Sequence, residues 1–586
     1  MATHNLTDYE QARTDFSWDD IYAEADWNAP EEMNIGHEVC DRHAEATPEK
    51  IALQYAGSEA QSVSNEPSGK QSDLRGGEHE AMTFADLAER SNRFASLLEE
   101  HDIERGDRVF TYMPRVPAHY VALVGTLKHG AVFGGINERF GPDGISYRLA
   151  DCDARAILTT ADNRDTVSRA LEDAPTVETV IVVDRGGGDG GGGDDSTGGE
   201  TGRDRSGDID YDEAMAAASD EYETARTSGE DDALLYYTSG TTGLAKGILH
   251  KHRWVAGVAA TQRYAVDLAE DDLYWSTADL GWLTGPINAL GAWFWGISQF
   301  TYEGEFDPEA WAGLLDEFPI TVLFSVPTAY RMLREHESVL KEVDLDLRHA
   351  LSIGEPLSAG VVEWGEDALG VTILDTYGQT ETGNMIINNY PSMAVRPGSM
   401  GKPLPGIEAT VVDPETGEPL QAGETGEIAQ RGDYPCFFAG YWEQPEKTAD
   451  SFVNDWYLSG DLGHLDSDGY FWFEGRADDV ILSSGYRIGP FEVESSLGEH
   501  PAVAEAAVVP KPDDQRGNIV KAYVVLSGGY EGSADLAEEI KTHVREELAA
   551  HEYPREVEFV DELPKTVTGK IRRTELRDRT EGSTAD

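Results

Sequence analysis

Short apolar segments alternate with helical patterns along most of the chain, and this order limits the possible folds more than any other feature. Residues 108–113, 156–159 and 179–183 have the pattern of buried strands, and residues 117–129 have the pattern of a helix. Strands separated by helices pair in parallel, because the connecting helix returns the chain to the edge from which it left. The sequence therefore predicts an α/β protein with mixed or mainly parallel sheets flanked by helices.

The last part of the chain follows a different pattern. Three short strands are predicted after residue 500, and Ser533 can cap an amphipathic helix between the second and the third. This mixture indicates a compact α+β module. We therefore predict a large N-terminal domain over residues 1–477 and a small C-terminal domain over residues 478–586.

Two polar segments, near residues 57–80 and 186–208, interrupt the globular pattern. Both are rich in Gly, Ser and Asp and contain too few apolar residues to bury surface of their own. We predict that they are flexible surface insertions. A phosphate cradle made by the glycines of the second segment is disfavoured, because its aspartates would repel phosphate.

The charge balance of the chain is extreme. It carries 110 acidic and 46 basic residues, a formal net charge of −64, and only 13 of the basic residues are lysines. Nucleic acids and anionic membranes bind basic surfaces, so neither partner is expected. With 40% apolar residues the chain is folded rather than disordered. We interpret the acidic surface as an adaptation to concentrated salt, as in a haloarchaeal cytoplasm, where self-repulsion is screened.

No sequence feature indicates secretion, a disulfide framework or a membrane span. Cys40, Cys152 and Cys436 are far apart and lack the spacing of a zinc site. The N-terminal residues contain no basic segment followed by an apolar one, and no apolar run approaches the length of a membrane-spanning helix. We therefore expect a soluble, cytoplasmic protein.

The strongest local motif follows an apolar strand near residues 233–237 and ends with the pair Lys246-Gly247. Its glycines allow the backbone to approach a polyphosphate, its hydroxyl groups can donate hydrogen bonds, and its lysine supplies positive charge. A Walker A loop is excluded, because Ala245 rather than glycine precedes the lysine. The predicted phosphate-binding residues are Thr238, Ser239, Gly240, Thr241, Thr242, Gly243 and Lys246.

Six further motifs follow this loop along the chain. They are Gly354-Glu355-Pro356, DTYGQTETG at 375–383, YLSGD at 457–461, GRADD at 475–479, SSGYR at 483–487 and PKTVTGK at 564–570. Together with the loop, in this order and at this spacing, they resemble the adenylate-forming enzymes, and specifically the AMP-forming acyl-CoA synthetases. The resemblance covers nearly the whole chain apart from the two polar segments and the termini.

The resemblance implies a reaction in two steps. A carboxylic acid attacks the α-phosphate of ATP to give acyl-AMP and pyrophosphate, and coenzyme A then takes the acyl group and releases AMP. A carboxylate is already a nucleophile at neutral pH, so the first step needs positioning and charge stabilisation rather than a general base. By the resemblance, Lys570 supplies that charge and Asp461 accepts the ribose hydroxyl groups. The other implied nucleotide-binding residues are Gly354, Glu355, Pro356, Asp375, Thr376, Tyr377, Gly378, Gln379, Thr380, Arg476 and Arg487.

A magnesium ion is implied by the same resemblance, with Thr238 and Glu381 at its positions. Oxygen ligands of this kind suit a hard cation that bridges ATP phosphates. His250 and His252 also stand close together, but no third ligand is near them in the sequence. We interpret both histidines as structural.

The second step is implied to use a movement of the small domain. Asp478 resembles the hinge residue on which that domain swings after adenylation. The swing would withdraw Lys570 and bring a loop to the site whose backbone lines the path of the coenzyme A thiol. The residues of this loop are Ser484, Gly485 and Tyr486.

The identity of the acid depends on position 378. Acetate-activating members of the family have a tryptophan there that closes the pocket just beyond a methyl group, whereas this chain has Gly378. An indole buries roughly 150–250 Å², so its absence predicts space for a fatty acid of roughly four to ten carbons. Acetate or propionate is the alternative, because Trp293 or Trp295 could refill the space. The residues expected to line the acyl pocket are Trp282, Leu283, Thr284 and Gly378.

Other functions remain open at this point. An aryl-CoA ligase of the same superfamily would carry the same motifs. A ligase acting on a carrier protein is less expected, since no carrier motif follows Lys570. An inactive nucleotide-binding regulator is disfavoured, because Lys246, Asp461, Arg476 and Arg487 are present together with Lys570. The predicted partners are an acid, ATP and coenzyme A, and the oligomeric state is not predicted.

Overall fold

A computed structural model describes residues 4–58, 79–184, 207–238, 245–341, 343–477, 479, 481–483, 486–513, 516–548, 553–565 and 571–582. The elements are numbered in chain order. The helices are α1 (Tyr9–Asp15), α2 (Trp18–Tyr22), α3 (Arg42–Ala46), α4 (Phe84–Glu100), α5 (Pro117–His129), α6 (Pro142–Asp151), α7 (Arg164–Ala170), α8 (Tyr211–Ala217), α9 (Trp254–Tyr264), α10 (Thr284–Phe294), α11 (Pro308–Glu317), α12 (Pro327–Glu335), α13 (Ala359–Ala368), α14 (Pro445–Asp450), α15 (Pro490–Glu499), α16 (Ala534–Glu547) and α17 (Arg573–Gly582). The strands are β1 (Ile51–Ala56), β2 (His79–Thr83), β3 (Arg108–Tyr112), β4 (Val132–Ile136), β5 (Ala156–Thr160), β6 (Thr179–Val183), β7 (Ile209–Asp210), β8 (Asp232–Thr238), β9 (Lys246–Lys251), β10 (Leu273–Ser276), β11 (Ser298–Tyr302), β12 (Val322–Ser325), β13 (His349–Ser352), β14 (Ile373–Gln379), β15 (Asn384–Asn388), β16 (Ser399–Pro403), β17 (Glu408–Val412), β18 (Gly426–Arg431), β19 (Gly440–Tyr441), β20 (Phe452–Val453), β21 (Trp456–Leu465), β22 (Phe471–Arg476), β23 (Ile481–Ser483), β24 (Tyr486–Ile488), β25 (Val503–Asp513), β26 (Gly517–Leu526) and β27 (Glu556–Phe559).

The larger sheet has 14 strands and changes character at β14. Its strand order is β17-β18-β21-β22-β16-β15-β14-β13-β12-β10-β11-β1-β2, with β20 paired to β21. From β14 through β13, β12, β10 and β11 to β1 the pairs are parallel, whereas from β14 to β17 they are antiparallel. The motif 375–383 begins on β14, at the junction of the two halves.

A second sheet has eight strands in the order β19-β9-β8-β4-β3-β5-β6-β7. Its strands from β8 to β7 pair in parallel, and β8 and β9 form an antiparallel pair that places Thr238 opposite Lys246. Because both residues stand at the ends of their strands, the pairing brings the two described ends of the phosphate motif together.

The C-terminal part of the chain forms smaller sheets, β23-β24 and β25-β26-β27, with α15 and α16 packed around the latter. Val508 and Val524 of these strands are buried with Ile540 and Val544 of α16 in a core of their own. Ser533 caps α16 as expected, accepting a hydrogen bond from the backbone N–H of Leu536 at 3.1 Å. The predicted α/β class, with a large sheet domain flanked by helices and a smaller α+β unit, is confirmed.

The described structure reaches into the C-terminal ends of both polar segments. His79 and Glu80 belong to β2, where they pair with Ala56 and Tyr55 of β1. Asp208 forms an ion pair with the buried Arg164, with 2.6 Å between Oδ2 and Nε. These contacts order residues whose local composition is polar. Residues 59–78 and 185–206, which contain most of the two insertions, lie outside the described residues.

Cys40, Cys152 and Cys436 are buried and have free thiols. Within the described ranges, no helix is both long enough and apolar enough to cross a membrane.

Candidate nucleotide site

The end of β14 and the β21–β22 hairpin bring four predicted site residues together. Asp461 lies opposite Arg476 in the strand register, and its Oδ1 is 3.1 Å from an Nη atom of that arginine. Tyr377 Oη and Gln379 Nε2 donate hydrogen bonds to Asp461 Oδ2 at 2.7 and 2.6 Å. Asp461 is buried, whereas the side chain of Arg476 is 40% exposed. The carboxylate therefore accepts two hydrogen bonds on Oδ2 and forms an ion pair through Oδ1 with a partly exposed arginine.

Two residues that sequence reasoning missed support this cluster. Tyr457 Oη donates a hydrogen bond to Gln379 Oε1 at 3.2 Å, and the backbone N–H of Gly460 donates one to Glu427 Oε1 at 2.6 Å. Burial raises the pKa of Glu427. Tyr457 begins the YLSGD motif and could have been included from its position. Glu427 stands on β18, far from any motif, and no local signal identifies it.

Lys246 and Glu381 form a second cluster with Tyr441. The Nζ atom of Lys246 lies 5.0 Å from the centre of the Tyr441 ring, and Tyr441 Oη donates a hydrogen bond to Glu381 Oε1 at 3.0 Å. Burial lowers the pKa of Lys246, as do the positive charges of Lys447 and Arg476, while Glu381 opposes the shift. Three cations thus interact electrostatically at this place in a strongly acidic chain, which suits a polyanionic ligand.

The Gly354-Glu355-Pro356 turn lies between β13 and α13. Gly354 has a φ of +92°, which glycine adopts without strain. The carboxylate of Glu355 accepts hydrogen bonds from Thr328 Oγ1 at 3.0 and 2.8 Å and pairs with Arg331 at 2.8 Å. Its side chain is therefore engaged with α12, so the turn can offer its backbone rather than this carboxylate to a ligand.

Asp375, Thr376 and Thr380 of the 375–383 motif are engaged inside the protein. Thr376 Oγ1 donates to the carbonyl oxygen of Ser352 at 2.7 Å, which links β14 to β13. Asp375 is buried, and burial raises the pKa of its carboxyl group well above the usual value. The carbonyl oxygen of Thr380 lies 2.9 Å from His250 Nε2. These three residues hold the strand and the turn that present Tyr377, Gln379 and Glu381.

Three of the predicted acyl-pocket residues, Trp282, Leu283 and Thr284, lie where the chain enters α10. Leu283 is buried in the main core, and Trp282 is partly buried with its ring 5.6 Å from that of Phe140. Tyr236 Oη donates to the carbonyl oxygen of Leu280 at 2.8 Å, so β8 is tied directly to this loop. Thr284, which is partly buried, begins α10.

The expectation that Gly378 leaves space for an acyl chain is wrong. A Cβ atom at this position would lie 2.1 Å from the carbonyl oxygen of Asn384 and 3.1 Å from the Cα of Met385. The direction of the missing side chain is therefore filled by the backbone of β15, which pairs with β14 here. Backbone atoms therefore fill the position that a Cβ would take, and the glycine itself opens no space for methylene groups.

The two tryptophans proposed to refill that space are engaged elsewhere. Trp293 is fully buried, and its indole N–H donates to the carbonyl oxygen of Ala52 at 2.8 Å. The indole N–H of Trp295 donates to the carbonyl oxygen of Ala259 at 2.8 Å, and Arg263 lies over its ring. These contacts remove the specific reason for expecting either ring to shorten the pocket.

Some predicted site residues lie outside the described residues. Tyr486 and Arg487 belong to β24, in register with Ser483 and Leu482 of β23. The predicted residues outside the described ranges are Ser239, Gly240, Thr241, Thr242, Gly243, Asp478, Ser484, Gly485 and Lys570. Their roles remain predictions.

His250 and His252 have the contacts expected of structural histidines. Both are fully buried, and burial lowers the pKa of each to about 3, so both are neutral. His252 Nδ1 accepts a hydrogen bond from the backbone N–H of Ile35 at 3.1 Å.

A different group, His4, Asp267 and His349, has metal-ligand chemistry. Asp267 Oδ2 lies 2.9 Å from His4 Nδ1 and 3.0 Å from His349 Nε2. The guanidinium of Arg348 is 3.2 Å from the same oxygen. That arginine already supplies the positive charge a metal would bring, so we interpret this group as a structural network.

Comparison with known proteins identifies the family. The model of the AMP-binding enzyme family matches residues 40–442, and that of the AMP-binding enzyme C-terminal domain matches residues 492–570. The chain belongs to the AMP-binding enzyme family. The family match and the similar proteins confirm the predicted class, which is an AMP-forming acyl-CoA synthetase.

Three similar proteins match nearly the whole chain. The acetyl-coenzyme A synthetase of Bacillus subtilis is 40% identical over 580 residues, covering 98% of this chain and 95% of that protein. The crystal structure of an acyl-CoA synthetase of Brucella canis superposes with a TM-score of 0.73 at 35% identity, covering 99% of this chain and all of that one. The anthranilate CoA ligase AuaEII, solved with anthranoyl-AMP, gives a TM-score of 0.82 at 28% identity, with 97% and 100% coverage.

Proposed function

We propose that this AMP-binding enzyme activates a short- to medium-chain carboxylic acid with ATP and transfers the acyl group to coenzyme A. The observation that carries the proposal is the convergence of Tyr377, Gln379, Arg476 and Asp461 beside Lys246. A buried carboxylate held by fixed donors suits a sugar hydroxyl ligand, and the neighbouring cations suit phosphate. A nucleotide presents both groups a few ångströms apart.

Nucleotide binding on these residues involves an exchange at Asp461. A carboxylate has about four lone-pair sites; Asp461 Oδ2 accepts two hydrogen bonds, and Oδ1 forms an ion pair with Arg476. Two ribose hydroxyl groups would therefore approach Oδ1, beside which Arg476 lies. Arg476 can move aside, because its side chain is 40% exposed. Its guanidinium would turn to a phosphate oxygen, for which its paired donors are well suited.

Magnesium would be held by Glu381, together with Thr238. Glu381 Oε1 accepts a hydrogen bond from Tyr441 Oη, and no described residue donates to Oε2. Carboxylate and hydroxyl oxygens beside a polyphosphate site fit the ligand preference of this cation. When bound, the ion would neutralise charge on the phosphates of ATP.

Lys570 and the small domain would complete the two steps. Following the family resemblance, Lys570 would stabilise charge during adenylation, and residues 484–486 would receive coenzyme A after a swing about Asp478. The neighbouring Asp479 supports a domain boundary at 478. It bonds through its backbone to Arg476 and through its carboxylate to Arg573 and Arg577 of α17. The chain thus changes its packing partners within a few residues.

The acyl pocket bears on the length of the acid. Position 378 does not open the pocket, because backbone fills the direction of its side chain. Trp293 and Trp295 are held by other contacts and give no reason for a pocket as short as acetate requires. An acid of roughly four to ten carbons remains our preferred substrate class. Acetate is the second candidate, because the Bacillus subtilis relative named for acetate matches 98% of this chain.

We also propose that the enzyme works in the cytoplasm at high salt. The support is the net charge of −64. Carboxylates at this density repel one another unless counterions screen them.

Pyrophosphate release measured in molar KCl would test the proposal. The assay would compare acetate, butanoate, octanoate, dodecanoate and benzoate at saturating ATP and Mg²⁺. We expect the highest kcat/KM for butanoate or octanoate, and a large loss of ATP affinity in Asp461→Asn. Asp450→Asn, which removes an exposed carboxylate at the end of α14, is the matched control and should behave as the parent. Pyrophosphate release with none of the acids, or normal ATP affinity in Asp461→Asn, would refute the proposal. A maximum at acetate would establish the second candidate.

A further inference from the structure

Helix α6 contacts both described ends of the phosphate motif. Tyr237, just before Thr238, donates a hydrogen bond from its hydroxyl to Asp151 Oδ2 at 2.8 Å. On the other side, Tyr147 Oη donates to the carbonyl oxygen of Ala245 at 2.9 Å. Tyr147 and Asp151 are four residues apart and therefore lie on the same face of the helix. One helical turn thus holds the end of β8 and the residue before β9.

The hydrogen bond to Ala245 bears directly on Lys246. The carbonyl oxygen of Ala245 belongs to the peptide group that joins it to Lys246, and a peptide group is planar. Fixing that oxygen fixes the direction in which the backbone enters β9. The opposite strand is fixed in the same way, because Tyr237 is held by Asp151 and Thr238 pairs with Lys246.

The helix that provides these contacts is itself firmly anchored. Arg148, which is 6% exposed, lies 4.0 Å from the centre of the Phe140 ring, outside the helix. Ile145 and Leu149 are buried in the same apolar cluster as Tyr237. A helix packed in this way cannot follow a displaced strand without losing buried contacts.

The protonation state of Tyr237 favours this arrangement. Burial raises its pKa well above the usual value, and the nearby Asp151 raises it further. The hydroxyl therefore keeps its proton and remains the donor to the carboxylate. The guanidinium of Arg148 on α6 lies 5.9 Å from the centre of the Tyr237 ring, near the end of β8.

We propose that Tyr147 and Asp151 are positioning residues that set Lys246 and Thr238 for the phosphates of ATP. The inference rests on the proposed nucleotide-binding role of Lys246. Neither residue needs to touch the nucleotide. Substitution of either residue should therefore lower the affinity for ATP, because Lys246 would be displaced.

Tyr147→Phe is the direct test, because it removes one hydroxyl and keeps the ring. We expect the KM for ATP to rise roughly three- to tenfold, the effect of one ordinary hydrogen bond, while the KM values for acid and coenzyme A and the unfolding temperature stay close to the parent. Tyr470→Phe is the matched control, since Tyr470 Oη donates to the carbonyl oxygen of Ala394 at 2.8 Å away from the motif. Asp151→Asn, which can still accept from Tyr237, should retain more ATP affinity than Asp151→Ala.

A double-mutant cycle separates this inference from the proposed function. If Tyr147 acts through Lys246, Tyr147→Phe should add little to the ATP affinity loss of Lys246→Ala, measured by calorimetry in the full-length enzyme. Independent, additive losses would overturn the inference, as would equal effects of Tyr147→Phe and Tyr470→Phe. Unchanged ATP affinity in Lys246→Ala would instead refute the nucleotide-binding role assigned to that lysine, and the inference with it.

Discussion

Substitution of Gly378 tests the geometry of the β14–β15 pair. In Gly378→Ala the new Cβ would lie 2.1 Å from the carbonyl oxygen of Asn384, whereas ordinary contact begins at 3.4 Å. The strands must therefore separate by about 1 Å or more at this point. Such overpacking typically costs about 1–3 kcal/mol in the free energy of unfolding.

The same displacement should reach the nucleotide site. Gln379 is the next residue on β14, pairs with Asn384 and donates to Asp461. We therefore expect a higher KM for ATP with every acid. Gly378→Trp should show the same defect more strongly, because its indole adds volume to a position already filled by backbone.

Unfolding in urea, in molar KCl, would measure the stability loss, and kcat/KM for acetate and octanoate would measure selectivity. Gly313→Ala is the control: this glycine is exposed on α11, and a Cβ there meets no atom within 4 Å. It should gain up to about 1 kcal/mol, as an alanine in a helix does. If Gly378→Trp kept the parental stability and lost activity only with octanoate, the side chain would point into the acyl pocket and this reasoning would fail.

Four further predictions concern other parts of the enzyme. Lys570→Ala should abolish acyl-AMP formation but spare thioester formation from supplied acyl-AMP, and equal loss of both half-reactions would contradict the assignment. Asp478→Pro should do the reverse, because proline restricts the backbone at the proposed hinge, and normal acyl-CoA turnover would argue against a pivot there. The unfolding temperature should rise with KCl, since the Debye length falls from about 30 Å at 0.01 M to about 3 Å at 1 M, and a flat profile would remove the halophilic interpretation. Burial opposes ionisation of Asp267, but hydrogen bonds from His349, His4 and Asn5 outweigh it and lower its pKa from 3.8 to about 2. Its contribution, about 2 kcal/mol, is present above pH 4 and lost as the pH falls toward 2, so Asp267→Asn should flatten this part of the acid-unfolding profile.

The parts of the protein that depend on local pattern could be predicted from the sequence. Apolar periodicity and helix caps placed β5, β6, α5 and α16 close to their observed bounds, because these signals act over a few residues. The motif order also indicated the family, since each motif is a short contiguous segment. The charge of −64 is a property of composition alone.

Only the tertiary structure determined the features that depend on contacts between distant segments of the chain. The burial of Glu427 against Gly460 and the contacts of α6 with β8 and β9 join residues with no shared local signal. Gly378 is the clearest case: its missing side chain suggested an open pocket, yet β15 fills that direction. A sequence records which side chain is absent, but only the packed backbone determines what stands in its place.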